Sequence, residues 1–269
     1  MNAVLMYNFI PPMVNGAIIN SFEYFLCAYE HNKNVFLYFI NTNINTKEMF
    51  VEMIRERYNL DGIEDFHKNI LICNRNDLLY MKFKTVLVHD YSTIKMTRGL
   101  INADEILVIS DNHTTNFDYM YSKKTNNVTY FAEMPFQYKD INYKMKMLFS
   151  RYKPIDTCDK ATYIHSPKNT DRSFVDQLNL PDQPIIFRET GHMKGLFTKF
   201  DTFVYYHAHT WFDLSPRLMH ECYFYNKKII YINDFELKDG SWYRYEDLKR
   251  NGIKGRYLTP SDPIIGKMI

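Results

Sequence analysis

The chain has 269 residues, 46% of them hydrophobic, and a formal net charge of +2. That apolar content supports one large buried core or two smaller ones and excludes a disordered chain. No apolar run reaches the ~18 residues of a membrane span, and a charge so near neutral does not announce a nucleic-acid binder.

The first twelve residues, MNAVLMYNFIPP, carry no basic lead-in and no small-residue cleavage site. They read as a first strand, over residues 3–10, rather than a signal peptide. A loop with Asn15-Gly16 follows, then a helix over 16–31 with Ile18, Ile19, Phe22, Phe25 and Leu26 on one broad face. Next come a strand over 35–40 and a helix over 46–58. Residues 70–73, 85–88 and 105–109 are short continuous apolar runs, as parallel strands buried on both faces require. A run over 128–132 closes the series. Strand and helix in alternation predict a doubly wound α/β domain.

Residues 137–159 are polar and basic, and Pro154 breaks them. They read as a linker, or as a basic surface helix inside a single domain. The pattern then restarts: a strand over 161–165, a turn-rich loop, a helix over 173–179, a strand over 184–188 and a short helical stretch over 191–200. From residue 239 it weakens to a helix over 245–250 and an irregular tail marked by Pro260 and Pro263. Divided after residue 145, the first part has 14 Lys and Arg against 16 Asp and Glu, net −2, and the second 19 against 15, net +4. The second part is therefore the better host for an anionic ligand. Cys27, Cys73, Cys158 and Cys222 are scattered, without a CxxC pair, in or beside apolar stretches. They read as buried thiols in a reducing compartment, hence a cytoplasmic protein.

The most informative stretch is 201–234, DTFVYYHAHTWFDLSPRLMHECYFYNKKIIYIND. An apolar run over 202–206 leads to a polar loop, a helix and a second apolar run over 228–232. Ser215 is a good N-cap and Pro216 suits the first helical position. Leu218, Cys222 and Tyr225 form one stripe for a core. Asn226 stands where a helix often ends in a left-handed residue. Asp213 precedes the helix and Glu221 lies within it, with seven residues between. Ionised carboxylates only accept hydrogen bonds, so such a pair suits sugar or ribose hydroxyls.

This unit resembles the acidic-x7-Glu signature of GT-B glycosyltransferases, enzymes with two Rossmann-like domains facing a cleft. The resemblance implies an acceptor-side domain over 1–145 and a nucleotide-sugar domain over 146–269. It makes Glu221 the ribose ligand and Asp213 the donor-sugar contact. The family usually has Glu at the first acidic position and Gly-Lys or Gly-Pro after the helix; here Asp213 and Asn226-Lys227 stand there. Lys168, Arg172 and Arg188 resemble the cations that hold a donor diphosphate, whose developing charge must be neutralised. The alternative for each is an ordinary surface cation. Ser215 and His207 join the donor side. His207 and His209 alternate along a strand, which is half a metal site at most; a nearby phosphate is the reading preferred, and no bound cofactor is expected.

On the acceptor side stand Asn15 and Gly16, where a helix N-terminus meets a small residue. His89-Asp90 ends the run over 86–88: Asp90 is the candidate general base, with His89 orienting or replacing it, and Asp111 is a second candidate of that type. Asp90 also fits a helix cap. The richness in Tyr, Phe, Asn, Lys and Ile resembles proteins of AT-rich genomes, large phages included. With the two-domain layout it resembles the phage transferases that decorate hydroxymethylcytosine in DNA, which implies duplex DNA as partner. A saccharide acceptor and a non-catalytic nucleotide-binding protein are the alternatives. Basic residues Lys82, Lys84, Lys95, Arg98, Lys123 and Lys124 are the cations available to DNA phosphates.

Overall fold

The computed structural model describes residues 1–7, 16–89, 91–110, 127–132, 141–165, 172–187, 195–207, 217–234, 236, 238 and 240–269, without the side chains of 91, 92, 110 and 172–174. The chain forms two compact units, Met1–Lys153 with Gly255–Ile269, and Pro154–Lys254. Each carries its own parallel sheet.

In the first unit, β1 (Asn2–Tyr7), β2 (Val35–Ile40), β3 (Ile70–Cys73), β4 (Phe83–Val88), β5 (Ala103–Ser110), β6 (Val128–Ala132) and β7 (Ile141–Asn142) form one sheet. Its order is β3-β2-β1-β4-β5-β6-β7, parallel throughout. The first six strands follow the 3-2-1-4-5-6 order of doubly wound nucleotide-binding sheets, with the reversal between β1 and β4. The apolar runs form these strands because both faces are covered: Val4, Leu5, Leu37, Phe39, Val86 and Leu87 have no exposed surface. Helices α1 (Gly16–His31), α2 (Ile44–Arg57) and α3 (Tyr91–Thr97) connect strands of this sheet. Asn43 caps α2 by accepting the Thr46 N–H.

Helix α1 is buried over all of residues 19–29, not on one face alone. The segment expected as a linker explains why. Tyr143, Met145, Met147, Leu148, Phe149 and Tyr152 are buried, and Leu148 N donates to Glu23 of α1 at 3.0 Å. Apolar residues alternate with lysines there, so a stretch that reads as basic supplies core. The unit boundary accordingly falls after Lys153, not after residue 145. The tail is corrected as well. Asp262 accepts the Ile264 N–H at 2.9 Å and Pro263 opens a helix at Pro263–Met268. Its Ile264, Ile265 and Met268 are buried, so residues 255–269 belong to the first unit.

In the second unit, β8 (Thr162–His165), β9 (Ile185–Phe187), β10 (Thr202–His207) and β11 (Lys228–Asn233) form a parallel sheet of order β11-β10-β8-β9, with its reversal between β8 and β10. Helix α4 (Arg217–Phe224) joins β10 to β11, and α5 (Gly240–Asn251) follows β11; the Pro263–Met268 helix is α6. Met219 and Cys222 of α4 and Leu248 of α5 pack with Tyr163, Phe203 and Tyr205 of the sheet. Ile164, Val204 and Tyr206 line its other face. Helix α4 ends as its sequence requires: Asn226 has φ +54°, Lys227 N donates to Cys222 O at 2.9 Å and Asn226 N to Tyr223 O at 3.0 Å. These two bonds are those of a Schellman cap. Residues 172–177 and 196–198 form 3-10 turns in place of longer helices.

Candidate functional site

In parallel α/β sheets ligands bind beyond the carboxyl ends of the strands, where the strand order reverses. Both units have such a point, and candidate residues stand at each.

In the first unit it lies between the ends of β1 and β4. His89, directly after β4, is buried. Tyr7, the last residue of β1, donates its N–H to Thr93 Oγ1 of α3 at 2.9 Å. Beside β1, Asn41 leaves β2 with φ +55°. Its N–H goes to Cys73 O at 2.9 Å, and its side-chain oxygen accepts Arg75 N at 2.9 Å. The Arg75 Nε donates to Met96 O. The carboxyl ends of β1, β2 and β3 are thus tied into one polar edge, and α3 is pinned to β1. Gly16 is the first, exposed residue of α1. Asn15, Asp90 and Asp111 lie outside the described residues.

In the second unit the reversal lies between β8 and β10, and each ends in a buried histidine, His165 and His207. His165 stacks on Tyr205 at 5.6 Å between ring centroids. Tyr205 stacks on Tyr231 at 5.5 Å, and Tyr231 on Tyr245 at 4.7 Å. The in-register pairing of Tyr205 with His165 and Tyr231 puts the first three rings in one row across the sheet. His207 Nδ1 lies 3.5 Å from Ser241 Oγ, which lies 2.9 Å from the Tyr231 hydroxyl. On the other face the Tyr206 hydroxyl donates to Asp234. Burial, with that carboxylate beside it, pushes this phenol up to about 12.

Glu221 sits within α4 and is buried, so it is not a solvated surface acid. Arg217, one turn earlier, donates Nε to Glu221 Oε1. Both side chains of this pair are almost fully enclosed, at 6% and 2% exposure. His220, between them in sequence, is fully buried too. The structure therefore gathers Arg217, His220, Glu221, His165, His207 and Ser241 into one unit, on the strand ends and the helices that follow. Sequence reasoning singled out Glu221 and His207. It missed His165, which ends β8 as His207 ends β10, and Arg217, whose i,i+4 spacing to Glu221 was legible.

Lys168, Arg188, Asp213 and Ser215 lie outside the described residues, as does His209. Arg172 opens a 3-10 turn, and its side chain is not described. Among the described residues no group of three His, Cys, Asp or Glu is placed to hold a metal ion. No described helix is long and apolar enough to cross a membrane.

Lys82 and Lys84 stand at the amino end of β4, about 16 Å or more along the strand from His89. They flank the opposite end of the sheet from the candidate site. Cys158 is exposed rather than buried, whereas Cys27, Cys73 and Cys222 are buried as expected.

No known protein-family model matches the chain, and no curated protein matches it.

Proposed function

We propose that the chain is a glycosyltransferase of the GT-B type, moving a sugar from a nucleotide-sugar donor to an acceptor hydroxyl. One observation carries the reading: a buried carboxylate, Glu221, on the helix between β10 and β11, beside the reversal point of a parallel sheet. A carboxylate held by an arginine has further lone pairs with which to accept the two ribose hydroxyls. His207, the last residue of β10, is our candidate for the donor phosphates. Asp213 completes the acid pair at the sugar, and Lys168, Arg172 and Arg188 supply charge to the diphosphate. The first unit takes the acceptor, with Asp90 or His89 receiving its proton.

The acceptor we propose is the hydroxymethyl group of hydroxymethylcytosine in DNA, on compositional resemblance. Lys82 and Lys84 do not support it, since they lie at the far end of β4 from His89; a saccharide acceptor fits the described residues equally. The second reading is a nucleotide-binding protein without transferase activity on the same fold.

The test is a thermal-shift screen of nucleoside diphosphates, since a ligand of the folded state raises its apparent stability. It is followed by transfer of labelled sugar from a panel of nucleotide sugars to hydroxymethylcytosine DNA, unmodified DNA and oligosaccharides. A diphosphate that shifts melting and a donor that labels one acceptor are expected. Binding without transfer or donor hydrolysis leaves the second reading; no binding by any diphosphate rejects both.

A further inference from the structure

Three of the four cysteines are sealed in the core. Burial pushes the Cys27 thiol up to about 12 and that of Cys73 to about 11, and that of Cys222 well above its ordinary value. Thiols in such settings are inert. Cys158 alone is exposed, and it has a neighbour of unusual kind. Lys227 Nζ lies 2.9 Å from Cys158 Sγ.

The fold puts the lysine there. Asn226 takes the left-handed conformation that ends α4, and Lys227 N–H closes the cap on Cys222 O. The backbone at Lys227 is therefore fixed, and its side chain runs inward, leaving the residue 9% exposed. The ammonium lies 5.4 Å from the centre of the Phe200 ring. Phe200 O in turn accepts the Cys158 thiol at 2.7 Å. Among the described residues the Lys227 nitrogen has no carboxylate at ion-pair distance; its hydrogen-bond acceptor is the sulfur. The Lys227 nitrogen and the Cys158 sulfur are thus held against each other by fixed backbone on both sides, at a distance from which a bond can form.

We infer that Cys158 and Lys227 form an oxidant-responsive modification site, in which hydrogen peroxide converts the contact into a covalent sulfur–nitrogen bond. In the first step the Cys158 thiol is oxidised to a sulfenic acid, and the peroxide is reduced to water. In the second the Lys227 nitrogen attacks the sulfur; the S–O bond breaks, water leaves, and the proton of the former ammonium goes to solvent. Sulfenic acids condense with nitrogen in this way to give sulfenamides, and thiols reverse the reaction. The bond joins the segment that opens the second unit to the turn that closes the helix carrying Glu221. It does not depend on the transferase reading.

The experiment treats the folded full chain with graded hydrogen peroxide, digests it without reduction and maps linked peptides by mass spectrometry. The expected product joins the Cys158 and Lys227 peptides, lacks two hydrogens relative to their sum, and disappears on adding dithiothreitol. Lys227→Met and Lys227→Arg abolish the link and leave Cys158 to proceed to sulfinic acid; their melting temperatures show that each is folded. Three outcomes overturn the proposal: sulfinic or sulfonic acid at Cys158 of the unsubstituted chain with no link, a link to Lys228 or another lysine, or a link that uses Cys222 instead.

Discussion

Replacing Arg217 with Met should destabilise the second unit by about 3–5 kcal/mol, the cost of removing one member of a buried ion pair. The magnitude follows from the enclosure of both side chains, at 6% and 2% exposure, which keeps the Glu221 carboxylate from water. An exposed i,i+4 pair would be worth only about 0.3–0.5 kcal/mol. The double substitution Arg217→Met/Glu221→Leu removes both charges and keeps apolar volume. It should recover most of the loss, because a buried pair and a well-packed apolar pair are often equivalent. Urea denaturation of the four proteins of this cycle gives the coupling directly. A loss below about 1 kcal/mol for Arg217→Met would refute the reasoning, since the pair would then be behaving as a solvated one.

Glu23→Ala should cost at least about 3 kcal/mol, because three buried donors lose their acceptor: Tyr58 Oη at 2.6 Å, Tyr152 Oη at 2.8 Å and Leu148 N at 3.0 Å. Urea titration checks it, and a change under 1 kcal/mol would show that the segment after residue 143 does not depend on that carboxylate. Asn226→Ala should cost about 1 kcal/mol, the strain of a left-handed alanine, whereas Asn226→Gly should be neutral or better; equal losses would remove the conformational explanation. Stability should be complete below about pH 8 and fall as pH rises from about 9 to 12. Burial raises the folded-state values of Cys73, Cys27 and Tyr206 to about 11, 12 and 12, so the unfolded chain releases protons first. A urea midpoint unchanged between pH 8 and pH 10.5 would contradict this.

The strand over 35–40 was legible because burial leaves no polar residue to blur the run, and it is bounded in the fold as in the sequence; 70–73 and 128–132 are bounded likewise. The cap at Asn226 was legible from local backbone chemistry alone. Residues 143–152 were not, because lysines between Tyr and Met residues look solvated until α1 is seen to need a second covering layer. Asp262-Pro263 carried a start signal, but a helix of six residues leaves too little periodicity to read. At the site, His89 and His207 were found as strand ends. His165 matters only once the sheet order sets β8 beside β10, and that order depends on long-range pairing. The charge of Glu221 was read as available for a ligand; nothing local announced how completely α4 encloses it.

Under the proposed function, Glu221 is the ribose ligand of a nucleotide site. The decisive measurement is calorimetric titration of the best nucleoside diphosphate into the unsubstituted chain, Glu221→Gln and the Arg217→Met/Glu221→Leu variant, each shown to be folded. The account predicts that removing the carboxylate costs about 1.5–3 kcal/mol of binding free energy, a loss of roughly ten- to a hundred-fold in affinity. Equal affinity in all three proteins would contradict it and leave Glu221 as half of a structural ion pair.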